Sequence, residues 1–251
     1  MDNDLSKAAG TSPAALILFR DGDLCAAVKP AGATCENDGE RSMPALIARA
    51  LSMDAGDVRP VHRLDRETGG VMVYALSAFG ASALSKSVRE GRLEKRYLAA
   101  VTGSVGEEEG QWRDLLYHDA QRNRSYVVKR MRRGVREAAL QFKTARAFEA
   151  GDGRPAGEIL DIRLLTGRTH QIRAQCASRG HPLIGDRRYG SSAAHPMALW
   201  CLEISFPHPR TGRKMTFSCP PPEGTLLAMM WDKTGIKPDG SFSGPGSGGV
   251  P

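Results

Sequence analysis

The strongest constraint on this chain is how its apolar residues are grouped. They come in short runs: Leu16–Phe19, Leu24–Val28, Val71–Tyr74, Tyr97–Val101, Ile159–Leu165, Ala198–Phe206 and Lys214–Cys219. Glycine, proline or aspartate closes most of them. Runs of this length bounded by turn residues read as strands. Asp21-Gly22 supplies the turn of an opening hairpin. Ser125–Lys129 and Glu137–Phe148 add further strands around a charged turn at Gly134, and Asp161 and Arg163 are expected on the solvent side of theirs. Residues 105–110 read as a loop. Helical patterning is sparser. Ser42 can cap a helix to about Leu51, residues 78–90 form another that Gly91 stops, and a third follows Thr166-Gly167-Arg168-Thr169 and ends near Gly180. Without a strict βαβ rhythm, the pattern predicts an α+β fold: a mixed, mainly antiparallel central sheet with flanking helices.

The chain has 251 residues, enough for one large domain or two small ones. No internal repeat divides it. Residues 1–12 are polar and expected to be flexible, 13–230 to form one domain, and 231–251, rich in Gly, Pro and Ser, to be disordered. The five cysteines, Cys25, Cys35, Cys176, Cys201 and Cys219, include no C-x-x-C pair, so a zinc ribbon or disulfide framework is not expected and a reducing cytoplasm fits. The start MDNDLSKAAG has no apolar core of a signal peptide, and no window approaches the roughly 18 apolar residues of a membrane span.

Charge is unevenly placed. Segment 111–148 holds ten basic and three acidic residues, a difference equal to the whole net charge of +7. Eight of the ten are arginines, among them Arg130, Arg132 and Arg133. A solvated basic face is the plain explanation. A phosphate-binding surface is the sharper one, since clustered arginine forks release counterions from nucleic acid.

Four stretches carry residues suited to chemistry. In VHRLDRETGG (61–70), Asp65 sits between Arg63 and Arg66, which are expected to stabilise its carboxylate form. In TGRTHQIR (166–173), Thr166 or Thr169 is expected to cap a helix. Arg168 lies at its start, and His170 and Arg173, three apart, share a face. Positive groups there oppose the helix dipole, so an anion, a phosphate or Asp65 itself, is expected beside them. GHPLIGDRRYG (180–190) reads first as a structural turn region. Tyr97 in LEKRYLAA is either core or, with its ring exposed, a surface on which a base stacks. The phosphate loops of nucleotide-binding folds are absent, as are paired-histidine metal spacings and serine or cysteine nucleophile signatures. Neither metal nor cofactor is expected.

HRLDRETGG, KRYLAAVTG, LLTGRTHQIR and GHPLIGD, in this order, together with the strand ending in Lys29-Pro30-Ala31-Gly32, resemble the RluA family of RNA pseudouridine synthases over roughly residues 16 to 220. The resemblance implies an active-site cleft across the sheet and conversion of uridine to its C-glycoside isomer in ribosomal or transfer RNA. It implies Asp65 as the catalytic aspartate, Tyr97 as the tyrosine against the target base, and Arg173 as the basic partner of the aspartate. Arg63 becomes the arginine that occupies space left by the flipped base. His62 and Leu64 shape the loop. His62, Arg168, His170, Arg130, Arg132 and Arg133 join Arg63 as candidates for RNA contact or base flipping. The chain departs from the family at Gly69, where serine is usual, and at Gln175 and Cys176. No RNA-binding domain is expected before residue 16, and the catalytic domain itself is expected to recognise the target, as a monomer with no obligate protein partner. The alternative is an RNA-binding or chaperone protein on the same fold with catalysis dispensable or lost.

Overall fold

In the computed structural model, which describes residues 16–228, the first apolar run turns back on the second. β1 (Leu16–Arg20) and β2 (Leu24–Lys29) are antiparallel, and Asp21 Oδ1 accepts from the backbone N–H groups of Asp23 and Leu24 at 2.8 and 2.9 Å. α1 (Met43–Leu51) follows, with the Ser42 hydroxyl accepting from Ala45 N. Such a cap contributes about 1 kcal/mol. β3 (Arg59–Pro60) and β4 (Gly69–Ala75) flank the HRLD loop, α2 (Ala78–Arg89) packs behind, and β5 (Glu94–Thr102) follows. Then come β6 (Glu109–Asp119), β7 (Arg124–Val128), β8 (Val135–Phe148) and β9 (Gly157–Leu164). α3 (Gln171–Ser178), β10 (Leu199–Pro207) and β11 (Lys214–Ser218) complete the described chain. The flexible start expected at 1–12 and the tail at 231–251 lie outside the described residues.

The sheet order is β1-β2-β4-β10-β5-β9-β8-β6-β7, with β11 on β10 and β3 on β4. Among the described pairs β4–β10 is parallel and the rest are antiparallel, so the sheet is mixed and mainly antiparallel, and the fold is α+β. Strand alternation along β5 divides the core. Tyr97, Ala99 and Val101 pack with Met43, Ile47 and Leu84 of the first two helices and Ile172 of α3, whereas Leu98 and Ala100 pack on the opposite face with Trp200, Ile159 and Ile184. No described helix is long and apolar enough to cross a membrane.

Two local expectations need correction. Asp161 does not face solvent. β9 lies inside the sheet between β5 and β8, and the buried carboxylate takes a forked pair of bonds from Arg96, at 2.8 Å to Nε and 2.6 Å to Nη2. Its neighbour in the pattern, Arg163, is half-exposed and bonds Glu94 at 2.6 Å. The loop expected to run to Gly110 ends sooner, because β6 begins at Glu109 and pairs with β8 over Glu109–Tyr117. Its charged alternate positions hide the strand from an apolar count.

Gly69 has a specific neighbour. A Cβ at this position would overlap the indole ring of Trp200, which sits opposite it across the parallel β4–β10 pair. Trp200 is itself held by a bond from Nε1 to Cys219 O at 2.8 Å. The small residue here is therefore matched to the large one. Gly69→Ser is expected to lower stability by about 1–3 kcal/mol through overpacking, and adding Trp200→Leu is expected to restore much of it. Thermal denaturation of the single and double variants checks this; a single variant as stable as wild type would remove the steric argument.

Candidate active site

The loop that carries Asp65 is moulded by the strand end before it. Lys29 is fully buried, and its ammonium donates to three backbone carbonyls: Pro30 (3.2 Å), Arg66 (3.0 Å) and Thr68 (2.8 Å). Burial pushes its pKa down to about 8. Gly32 N donates to Arg66 O at 2.7 Å, and Arg66 Nε returns a bond to Gly32 O at 3.1 Å. Gly32 has φ +92°, a conformation that favours glycine. On the other side Cys35 Sγ contacts both the N–H and the C=O of Leu64, at 3.3 and 3.2 Å. His62 is buried, and its Nε2 accepts from Val73 N at 3.1 Å; burial, and then the Lys95 charge, hold its pKa well below 6.5. His62 and Leu64 thus fix the loop from beneath, while Asp65 remains accessible at its tip.

The flanking arginines do not perform the task expected of them. Arg63 points outward and pairs with Glu36 at 3.2 Å, and Arg66 is spent on Gly32. The cation beside Asp65 is Arg173, whose Nη1 donates to Oδ2 at 3.1 Å. Arg173 is almost fully buried and is gripped by Asp186, Nε to Oδ2 at 2.7 Å and Nη2 to Oδ1 at 2.9 Å. Glu67 Oε2 lies 3.4 Å from Nη2. Burial works against the charge on Arg173, but the bonds and charges of Asp186 and Asp65 outweigh it and its pKa is raised. Asp186, read from sequence as part of a turn, is the missing member of this cluster. The signal available was the single carboxylate in GHPLIGD, in a segment the resemblance already included.

α3 does not start as expected either. Its N-cap is His170, in the left-handed region at φ +54°, with no side-chain cap from Thr166 or Thr169. Instead Gln171 Oε1 accepts from Arg168 N (3.0 Å) and Thr166 Oγ1 (2.8 Å), and its Nε2 donates to Ala139 O at 3.0 Å. The glutamine side chain replaces the cap and ties the turn to β8. The backwards-wound cap turns His170 towards the site: Nε2 is 3.8 Å from Asp65 Oδ2 and Nδ1 is 3.1 Å from Tyr189 Oη. The anion expected beside these basic groups is Asp65.

Tyr189 sets the state of that histidine. Its oxygen accepts from Ser125 N at 2.7 Å, and we assign the phenol proton to His170 Nδ1, 3.1 Å away. The ring proton of a neutral His170 then sits on Nε2, facing Asp65. Burial lowers the His170 pKa; Asp65 opposes this, and Arg173, Arg188 and His118 add to it. The tyrosine ring is flanked by the Arg173 and Arg124 guanidinium groups, 5.1 and 5.0 Å from its centroid. Ser125 Oγ donates to Thr169 O at 2.6 Å, so β7 is stitched to the TGRTHQIR turn.

The remaining candidates fall in two places. Tyr97 is buried, with no exposed stacking face. Burial, and then Cys201 and the Asp65 charge, push its phenol well above its usual pKa. Arg168 is exposed, with Nε on Glu137 O at 2.8 Å. Arg130, Arg132 and Arg133 stand exposed in the turn between β7 and β8, and the Arg132 guanidinium lies 5.0 Å from the centroid of the Tyr117 ring. These three are not part of the Asp65 cluster.

The family pattern described as RNA pseudouridylate synthase matches residues 23–178. Among curated relatives, the dual-specificity RNA pseudouridine synthase RluA of Vibrio parahaemolyticus is 32% identical, with 80% of this chain and 81% of that protein covered. The ribosomal large subunit pseudouridine synthase C of Yersinia pestis is 30% identical, with 81% and 65% covered. Of solved structures, human RNA pseudouridylate synthase domain containing 1 superposes with a TM-score of 0.70 over 85% of this chain and 86% of its own, at 21% identity. That likeness concerns the fold.

Two outcomes are expected from the cluster. Asp186→Asn removes one charge from a buried pair and should cost about 3–5 kcal/mol, read by chemical denaturation; a loss under 1 kcal/mol would contradict the role given to Asp186. In wild type, nitrogen NMR at neutral pH should find the His170 proton on Nε2. A wild-type ring protonated on Nδ1 would refute the assignment.

Proposed function

This chain belongs to the RNA pseudouridylate synthase family and is an RNA pseudouridine synthase, an isomerase, and from that premise we propose which residues carry the reaction and what RNA they meet. Asp65 acts at C1′ of the target uridine. The observation that supports this is its tether: one carboxylate oxygen on the buried, Asp186-held Arg173, with the carboxylate still accessible at a loop tip. Isomerisation breaks the N1–C1′ bond, turns the uracil and joins C5 to C1′. A positioned carboxylate can add to C1′ as glycosidase nucleophiles do. It can also assist removal of the 2′ proton through a glycal. Both routes use the same geometry, and neither imports a group.

Arg173 fixes the direction of Asp65 and favours its anionic form. Tyr97, whose ring is covered in this structure, takes part in proton transfer at C5 once the side chains over it move aside for the uracil. Arg63, exposed and paired only at its tip with Glu36, is free to swing into the space that the flipped nucleotide leaves. Arg168 and the turn with Arg130, Arg132 and Arg133 meet the RNA backbone, offsetting the few kcal/mol needed to unstack the target. His170 meets Asp65 and not the RNA backbone, and His62 serves the loop. The target is a uridine in structured RNA, ribosomal or transfer RNA. One catalytic domain over residues 13–230 suffices as a cytoplasmic monomer. A chaperone without catalysis has no use for a tethered carboxylate among phosphate-binding groups.

Asp65→Asn is expected to abolish tritium release from C5-labelled uridine RNA while RNA affinity stays within a few-fold. Tritium must leave when C5 bonds to C1′, so release by Asp65→Asn at the wild-type rate would end this assignment. Charge reversal of Arg130, Arg132 and Arg133 together is expected to weaken RNA binding and flatten its dependence on salt. An unchanged salt slope in a binding titration would remove that turn from the interface.

A further inference from the structure

Lys95 is the second residue of β5, two positions before Tyr97, and so shares its face of the sheet. Across β5–β9 it pairs with Leu164, the last strand residue before the TGRT turn. Its Nζ lies 3.8 Å from where a Cβ on Gly167 of that turn would be. On the other side, its charge is felt by His62 beneath the Asp65 loop. Lys95 therefore stands where the two cleft loops approach each other, on the floor that carries Tyr97. It is half-buried, and among the described residues its ammonium makes no hydrogen bond and no ion pair. Around it are Cys201 and Cys35, and burial lowers its pKa.

The other buried cations of the region behave differently. Lys29 has three carbonyls and Arg173 has two aspartates. A cation taken partly out of water without a partner costs stability, and a fold has no reason to keep one unless a ligand completes it. The ligand must be anionic or carry a strongly polar oxygen. An RNA phosphate would be met at an exposed rim by groups such as Arg168. A group lying beside Tyr97 at sheet level meets the base.

We propose that Lys95 is a catalytic residue whose ammonium hydrogen-bonds a uracil carbonyl oxygen and stabilises the negative charge that appears on the ring during glycosidic cleavage. This rests on the reading of Asp65 and Tyr97 given above. When the N1–C1′ bond breaks, its electron pair leaves with the uracil, and the charge spreads over N1 and the carbonyl oxygens. Lys95 donates a hydrogen bond and keeps its proton. C5 then supplies the electron pair for the new bond to C1′, the C5 hydrogen leaves as a proton, and N1, freed of the sugar, takes up a proton, so the sum is an isomerisation. Charge builds on the ring whether Asp65 adds to C1′ or helps to form a glycal, so the assignment does not depend on the route. A fixed cation in a water-poor cleft acts where charge develops and not in the ground state.

The test is Lys95→Met, a residue of similar length and no charge. Single-turnover tritium release from C5-labelled RNA is expected to slow at least 100-fold, with RNA affinity within threefold of wild type. Thermal stability is expected to stay the same or rise, because an unpaired charge has been removed. A residue with a merely structural role would give the opposite sign, a lower Tm. A Tm loss of several degrees, a turnover rate within threefold of wild type, or a loss confined to RNA affinity would each overturn the proposal. The stability measurement needs no substrate. Absence of tritium release by the wild-type protein would instead count against the functional reading on which the proposal rests.

Discussion

One buried guanidinium organises this molecule's site. Arg173 lies on a short helix with almost no contact with water, and it remains charged there because Asp186 takes two of its N–H groups and Asp65 a third. That pairing uses up the freedom of the side chain. The remaining nitrogen faces Asp65, so the direction of the carboxylate is set before any ligand arrives. The helix follows from the same requirement. Gln171, Arg173 and Gln175 are all buried, and their side chains reach Ala139, Asp65, Asp186 and Asp114. α3 is held by polar bonds to its neighbours more than by an apolar stripe, and Ile172 and Cys176 supply its share of the core.

A second theme is the use of backbone carbonyls and side chains to shape loops that must stay open. The Asp65 loop is gripped on one side by Lys29 and Gly32 and on the other by Cys35. Each contact lies beneath or beside the tip. Rigidity therefore comes without covering the carboxylate. The left-handed backbone at His170 is the corresponding device in the opposite loop, and the network through Tyr189 and Ser125 stabilises its strained start.

Much of the architecture was legible in local sequence. The opening hairpin, the Ser42 cap, the stop at Gly91 and the pairing of the last two strands depend on neighbours a few residues apart, and they appear where turn and cap chemistry put them. Asp65, Arg173 and His170 were recognisable as candidates from their motifs, and the structure gathers them: Arg173 bonds Asp65, and the His170 ring lies 3.8 Å from the same carboxylate. What was not legible depended on distance in the chain. The carboxylate that completes Arg173 lies 13 residues further on, past the end of α3. The carbonyls that hold Lys29 lie 37 and 39 residues away. The local pattern also misassigned Arg63 and Arg66, because sequence adjacency to Asp65 suggested contact, while backbone geometry turned both away. β6 was hidden because its outward positions carry charge, and only its pairing with β8 makes it a strand.

The exposed β7–β8 turn, from Lys129 to Gly134, hangs from an edge strand that joins the Asp65, His170 and Arg173 cluster through Ser125 and Tyr189. Substitutions separated by more than about 7–10 Å, with no shared partners, tend to act independently. The bonds that tie Asp65 to Arg173 and Arg173 to Asp186 use no residue of the turn, so the turn can vary while they stay in place. If the turn meets RNA as proposed, such an arrangement would let a lineage of these proteins explore new RNA targets at its rim without rebuilding the proposed chemistry at its centre.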